Sequence, residues 1–136
     1  MIAEKTIIRI LQEEIPDIVG IYVFGSQADR TARKDSDYDI AFLTDKPSHF
    51  DSVFLFDLAY KIGKVISHEI DLVNLHIVSL DLRFEVVAKG TRIFCGNTTT
   101  CDTFEMVAIS MYQRFEEERR PLIEAYKKRI AAWPIQ

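Results

Sequence analysis

The stretch GSQADRTARKDSDYD, residues 25–39, joins two apolar segments and decides how the rest of the chain is interpreted. The segment before it, Ile18–Phe24, is β-branched and aromatic without polar alternation, which is typical of a strand buried on both faces. Residues 37–43 alternate acidic, aromatic and aliphatic side chains at their start and predict a second strand. A Gly-Ser pair therefore follows one strand, and an Asp-Tyr-Asp triplet begins the next.

Asp37 and Asp39 are expected to act together, because successive side chains of a strand point to opposite faces. The two residues then share one face about 7 Å apart at the backbone, and their carboxylates can converge. Asp71 is a candidate third member, since it lies in the apolar segment 70–75, an unfavourable place for an unpaired charge. Two carboxylates about 4 Å apart repel by about 4 kcal/mol at an effective dielectric of about 20, so a cation is expected between them.

The ligand types favour one class of cation. Carboxylate oxygens without His or Cys suit Mg²⁺ or Mn²⁺, which bind through one or two carboxylates and substrate phosphates. This composition describes a phosphoryl-transfer site. Gly25 and Ser26 supply the phosphate side, because glycine lets a phosphate approach the backbone and the hydroxyl and following amides donate to it. A Gly-Ser pair alone usually marks only a turn; here a strand precedes it and the aspartates follow it.

The remaining patterns alternate helices with strands and predict an α/β fold with a small mixed sheet of about four strands packed by helices. Apolar spacing predicts helices over residues 2–14, 50–65 and 80–88, and further strands over 70–75 and 91–95. Asp51 is placed to cap the second of these helices, and Gly90 to end the third.

A long C-terminal helix is predicted over about residues 102–132. Asp102 and Glu105 stand at capping-box spacing. One face of the helix carries an apolar stripe, more typical of core cover than of a partner groove, formed by Phe104, Val107, Met111 and Phe115. Pro121 is expected to kink or split this helix, because proline lacks the backbone N–H.

Length and charge set the class of protein. The 136 residues carry 17 Lys and Arg against 21 Asp and Glu, a formal charge of −4, and 48% are hydrophobic. This predicts a single domain, residues 1–136, with a real core. The acidic balance argues against direct nucleic-acid binding and still allows a small anionic ligand held by a metal.

The sequence also predicts the compartment. No segment approaches the ~20 apolar residues that span a bilayer, and charged side chains among residues 1–14 exclude a secretory signal core. We therefore expect a cytoplasmic protein without membrane contact. Cys95 and Cys101 could meet across the turn between them, but a reducing compartment favours free thiols.

The quoted stretch resembles the Gly-Ser, ten residues, Asp-x-Asp signature of the DNA-polymerase-β-like nucleotidyltransferases. Small size, the IDLVNL context of Asp71 and the segment LRFEVVAKGTRIF are similar to the minimal nucleotidyltransferase (MNT) branch, over about residues 18–94. The resemblance implies that Asp37 and Asp39 hold Mg²⁺, and that Asp71 completes the metal site and helps to deprotonate the acceptor. It also implies that Gly25 and Ser26 contact the triphosphate of ATP.

The C-terminal segment YQRFEEERRPLIEAYKKRI resembles the antitoxin subgroup that is paired with a HEPN (higher eukaryote and prokaryote nucleotide-binding) ribonuclease toxin. This resemblance implies a protein adenylyltransferase that transfers AMP from ATP to a tyrosine of the toxin. Two alternatives remain: a nucleotidyltransferase acting on a small molecule such as an antibiotic, and a non-catalytic antitoxin that only occludes its partner. An added substrate domain, usual for the first, is not predicted here.

Some residues have simpler interpretations. Asp71 could instead form a structural ion pair with Arg83 or Arg92. Arg30 stands where relatives frequently have glycine, and an exposed loop arginine needs no partner. The three histidines are expected at the surface or as caps rather than as metal ligands; they are His49, His68 and His76.

Overall fold

The structure, a computed structural model, describes residues 2–29 and 37–134. Helices and strands alternate along the chain, as the patterns predict. Their bounds are α1 (Ile2–Glu14), β1 (Ile18–Phe24), α2 (Ser26–Asp29), β2 (Tyr38–Thr44), α3 (Ser52–Ile66), β3 (Ile70–Asn74), α4 (Leu80–Lys89), β4 (Thr91–Cys95) and α5 (Thr98–Ala131). Arg30 lies outside the described residues, so its role stays a prediction.

The four strands form one mixed sheet in the order β3-β2-β1-β4. The central strand β1 is antiparallel to both β2 and β4, whereas β2 and β3 are parallel. Nearly every residue of β1 and β2 is buried, because helices cover both faces of the two central strands. The predicted α/β fold with a small mixed sheet is confirmed.

Each face of the sheet has its own apolar core. One core joins α1 and α3 to one face, with Ile7, Ile40 and Leu58 among its buried members. The other joins α4 and α5 to the opposite face, and Ala41 and Val86 belong to it. Because side chains alternate along a strand, this second face also carries the odd-numbered residues of β2 and β3.

The predicted caps of the central helices are confirmed. The Asp51 carboxylate accepts a hydrogen bond from the backbone N–H of Val53 (2.9 Å) and caps α3. At α4, Ser79 caps the first turn and Gly90 follows the last residue. Gly90 has no room for a side chain, since a Cβ would meet the carbonyl oxygens of Val86 and Val23.

The predicted start of α5 is wrong. The helix begins at Thr98, where the Asn97 side chain accepts from the N–H of Thr100 (3.1 Å). The residues predicted as a capping box, Asp102 and Glu105, lie inside the helix, and both accept hydrogen bonds from Arg92, at 2.9 and 2.7 Å. Asp102 and Glu105 are spaced to bind Arg92 of β4, a partner outside the helix that no local sequence pattern identifies.

The middle and end of α5 also differ from expectation. The helix is continuous through Pro121 and is not split there. The predicted core stripe is wrong for Val107 and Met111, which are 50% and 43% exposed. The buried residues of this helix are Cys101 and Ala108. Both cysteines are free thiols, as predicted, and no helix in the described ranges is long and apolar enough to cross a membrane.

Candidate active site

Three strand segments bring the predicted site residues to one edge of the sheet. In the antiparallel pair of β1 and β2, Phe24 lies opposite Asp39, so the end of β1 meets the start of β2. In the parallel pair of β2 and β3, Asp39 lies opposite Asp71. Neighbouring strands are about 4.8 Å apart, so these two aspartates, distant in sequence, are adjacent on the same face.

Gly25 occupies the junction between β1 and α2, and two features require glycine there. Its φ of +69° lies in the left-handed region, which costs a residue with a Cβ about 1–2 kcal/mol. A Cβ at this position would also collide with Oδ2 of Asp39. The backbone of Gly25 thus lies directly against the Asp39 carboxylate.

Ser26 begins the short helix α2 immediately after Gly25. The turn is closed by a hydrogen bond from the N–H of Ala28 to the carbonyl of Gly25 (3.1 Å). The Gln27 side chain donates to the carbonyl of Asp37 at 3.5 Å, a weak contact that links α2 to the entry of β2. The Gly-Ser turn and the aspartates therefore form one continuous surface.

The carboxylates repel one another. Burial is the main cause that raises the pKa of Asp39 above its ordinary 3.8, followed by the charges of Asp71, Asp37 and Glu85. Asp39 is partly buried, whereas Asp37 and Asp71 are exposed at the edge. Like charges gathered beside a partly buried carboxylate favour either a bound proton or a bound cation.

Glu85 is the member of this cluster that the sequence patterns do not identify. It lies on α4, next to the buried Val86 that packs this helix onto the face bearing Asp39. Its charge reaches Asp39 only through this packing. The segment around Glu85 is similar to the MNT branch, but the spacing of its residues carries no local signal of a role at the site.

The cluster fits a divalent ion that takes its remaining ligands from water and a bound nucleotide. Among residues 2–29 and 37–134, no three acidic, His or Cys side chains are grouped so that they could hold an ion by themselves. Asp39 and Asp71 provide hard oxygen donors on adjacent strands. Mg²⁺ typically binds one or two carboxylates and takes its other ligands from water and substrate phosphates, so the residues fit an ion that arrives with a nucleotide.

The arginines considered as partners of Asp71 bind other groups. Arg92 pairs with Asp102 and Glu105. Arg83 donates to the carbonyl oxygens of His76 and Val78 at 3.2 and 3.3 Å, and packs over the ring of Phe104. Within the described part of the chain neither arginine forms an ion pair with Asp71, so that structural interpretation is wrong, and the carboxylate stays exposed at the edge.

A mixed sheet with a Gly-Ser turn after its central strand, and paired aspartates on the next two strands, defines a nucleotidyltransferase. The chain belongs to the "Polymerase beta, Nucleotidyltransferase" family, which matches residues 5–99. It is similar to the protein adenylyltransferase MntA of Shewanella oneidensis, with 33% identity over 129 residues, covering 95% of this chain and 91% of that protein.

Solved structures agree with this family. The chain superposes on a chain of a toxin–antitoxin crystal structure with AMP-PNP, with a TM-score of 0.82, 33% identity, and coverage of 91% of this chain and 98% of that one. It also superposes on a complex of the tri-AMPylated Shewanella oneidensis HEPN toxin with its MNT antitoxin, with a TM-score of 0.78, 32% identity and coverage of 93% and 97%. The family resemblance of the sequence is confirmed.

Proposed function

We propose that this chain is an antitoxin-type protein adenylyltransferase, acting as a single domain, that transfers AMP from ATP to a tyrosine hydroxyl of a HEPN-family toxin and so neutralises it. The observation that carries the proposal is the register of β2 and β3, which pairs Asp39 with Asp71 beside the left-handed Gly25. A nucleotide-binding turn against two paired carboxylates is what metal-assisted transfer of a nucleotidyl group needs.

In this proposal the turn binds the triphosphate. The backbone of Gly25 admits the β and γ phosphates, and the Ser26 hydroxyl donates to them. Asp39 and Asp71, with the neighbouring Asp37, would supply carboxylate ligands to Mg²⁺, or Mn²⁺, and the phosphates and water would supply the other ligands. When bound, the ion neutralises charge on the phosphates and the leaving group.

The acceptor oxygen bonds to the α-phosphorus as the bond from that phosphorus to the bridging oxygen breaks, and pyrophosphate leaves. Asp71, exposed at the sheet edge, accepts the proton of the acceptor hydroxyl. The other chain groups position the nucleotide, which supplies most of the acceleration in phosphoryl transfer.

The relatives support this choice of acceptor. MntA of Shewanella oneidensis is described as a protein adenylyltransferase, and a related complex contains a tri-AMPylated HEPN toxin. This chain spans nearly the whole length of those relatives. The negative net charge further supports an acceptor other than nucleic acid.

Labelled ATP tests the proposal. Purified chain is incubated with ATP labelled at the α-phosphate, Mg²⁺ and the cognate HEPN-family toxin, and the toxin's intact mass is measured. Wild type should add AMP to the toxin, and Asp39→Asn should lose at least about 10²-fold in rate, because one carboxylate donor is removed. Asp57→Asn, an exposed change on α3, is the matched control and should keep full activity.

Two results would replace the proposal by its alternatives. Label on aminoglycoside-type compounds with none on the toxin would make the chain a small-molecule nucleotidyltransferase. Full protection of cells from the toxin by the Asp37→Ala, Asp39→Ala variant would make it an antitoxin that acts by occlusion.

A further inference from the structure

The long helix α5 carries one apolar face along its whole length. In its first half this face is covered by α4 and the sheet: Ala108 is 3% exposed, and the ring of Tyr112 stacks on Phe84 of α4 with centroids 4.0 Å apart. The apolar residues of the second half lie eighteen positions further on, which is about five whole helical turns. Three pairs share an azimuth, namely Phe104 with Leu122, Ala108 with Tyr126, and Tyr112 with Ile130.

In the second half this same face is open. We name it the tail stripe, residues Leu122, Tyr126 and Ile130, which are 73%, 61% and 53% exposed. Every residue from 121 to 134 is exposed, so no other described part of the chain packs on this segment. An isolated helix of this length is marginal in water, and a contiguous apolar patch on a protein surface usually marks an interaction site.

The charges beside the tail stripe indicate what covers it. On a helix of 3.6 residues per turn, Lys127 and Arg129 flank the stripe on its two sides, whereas Glu124 and Lys128 lie on the opposite side of the helix. Both flanking charges are positive, although the whole chain has a formal charge of −4. A second copy of this helix would bring the same two cations to the interface and no flanking anion. A partner whose apolar surface has an acidic rim complements both features.

The first half of α5 lies on the same face of the sheet as the candidate site residues. Helices α4 and α5 pack on one face of the sheet, through Val86 and Cys101. By strand alternation, Asp39 and Asp71 lie on that same face, and the Glu85 charge on α4 reaches Asp39. The covered half of α5 therefore lies on the face of the sheet that carries the carboxylates.

We propose that the tail stripe is the docking surface for the protein substrate of the transferase, and that the substrate's matching surface is apolar with an Asp- and Glu-rich rim. This rests on the proposed function, in which the acceptor is a protein. The tail stripe then holds the acceptor while the aspartates at the sheet edge act on its hydroxyl.

The test separates docking from chemistry with the double variant Leu122→Lys, Tyr126→Lys. The probe is the cognate HEPN-family toxin, and KM for the toxin, kcat and the Kd of AMP-PNP are measured. Interface aromatic and apolar anchors carry most of the binding energy, so KM should rise about tenfold or more while kcat and nucleotide affinity stay unchanged. Met106→Lys is the matched control, since Met106 is 69% exposed on the opposite side of the same helix; it should leave KM unchanged.

A charge variant tests the acidic rim independently. Lys127→Glu, Arg129→Glu should weaken toxin binding and reduce its dependence on salt, whereas Lys128→Glu, on the opposite side of the helix, is the matched control and should change both little. Both changes lie on exposed positions, and unchanged thermal unfolding identifies them as surface effects.

Three outcomes would overturn the docking proposal. One is transfer of AMP to the toxin with unchanged KM in the double variant. Another is a wild-type dimer that the double variant converts to monomers without changing KM, which assigns the stripe to a second copy. If wild type transfers no AMP, the proposed function fails, and calorimetric binding of the toxin decides docking separately: equal affinity of wild type and double variant would refute it.

Discussion

Replacing Asp39 with asparagine is expected to stabilise the metal-free protein while abolishing transfer. Asp39 and Asp71 are paired on strands about 4.8 Å apart, so their carboxylates are about 5 Å apart. Coulomb's law gives a repulsion of about 3 kcal/mol at an effective dielectric of about 20 and about 0.8 kcal/mol in bulk water. Asp71 is exposed, so the lower end applies. We expect a gain of about 1 kcal/mol, or about 3–5 °C in Tm.

Thermal unfolding at pH 7 with EDTA measures this gain. The pKa of Asp39 is raised, so the folded state binds its proton more tightly than the unfolded state. Wild-type stability therefore falls relative to the variant as pH rises from 3.8 through the raised pKa of Asp39. The advantage of Asp39→Asn should vanish below pH 3.8, where Asp39 is protonated in both states. Saturating Mg²⁺ should stabilise wild type more than the variant.

Asp57→Asn on α3 again serves as the control and should change Tm little at either pH. The reasoning is refuted if Asp39→Asn is no more stable than wild type at pH 7 in EDTA. A stability difference that persists unchanged below pH 3.8 would also contradict it, since the repulsion requires ionised Asp39.

Three further changes test the parts of the fold that hold the site. Gly25→Ala should cost about 1–2 kcal/mol and weaken AMP-PNP binding, because φ is +69° and the Cβ meets Asp39; calorimetric affinity equal to wild type would contradict this. Arg92→Met should cost about 1 kcal/mol in urea unfolding, because it leaves Glu105 without its cation; an unchanged midpoint would argue against that ion pair. Asn97→Ala should cost about 1 kcal/mol because the helix loses its cap. A calorimetric Tm equal to that of wild type would contradict a helix start at Thr98.

Local patterns predict most elements, for identifiable reasons. The bounds of α1, β1 and β4 agree with the sequence prediction, since helical apolar spacing ended by Pro16 and unbroken β-branched runs are local signals. The Asp51 cap is equally local, because its carboxylate binds an N–H two residues away. The same local reasoning misplaces the start of α5. The Asp102 carboxylate binds a cation on a strand ten residues earlier, and a local pattern cannot distinguish that partner from the backbone N–H groups of a helix start.

The site residues likewise divide into those that local patterns predict and those that only the tertiary structure brings together. That Asp37 and Asp39 share a face is predicted from strand alternation, but Asp37 lies one residue before the start of β2. That Asp71 joins them depends on β3 pairing with β2 in parallel register, with no offset. The contribution of Glu85 depends on which face of the sheet α4 covers. Sheet order and helix placement are properties of the assembled chain, so residue spacing makes Asp71 a candidate and leaves Glu85 unidentified.

The sequence by itself determined the chemistry available to this protein: a glycine turn, hard oxygen donors, and a helix with an apolar stripe of constant phase. These depend on side-chain type and on the repeat of one helix or strand, which short stretches of chain already specify. Only the tertiary structure decided which carboxylates are neighbours and which half of the stripe is left uncovered. Those relations join residues far apart in sequence, and the packing of two cores on opposite sheet faces sets them.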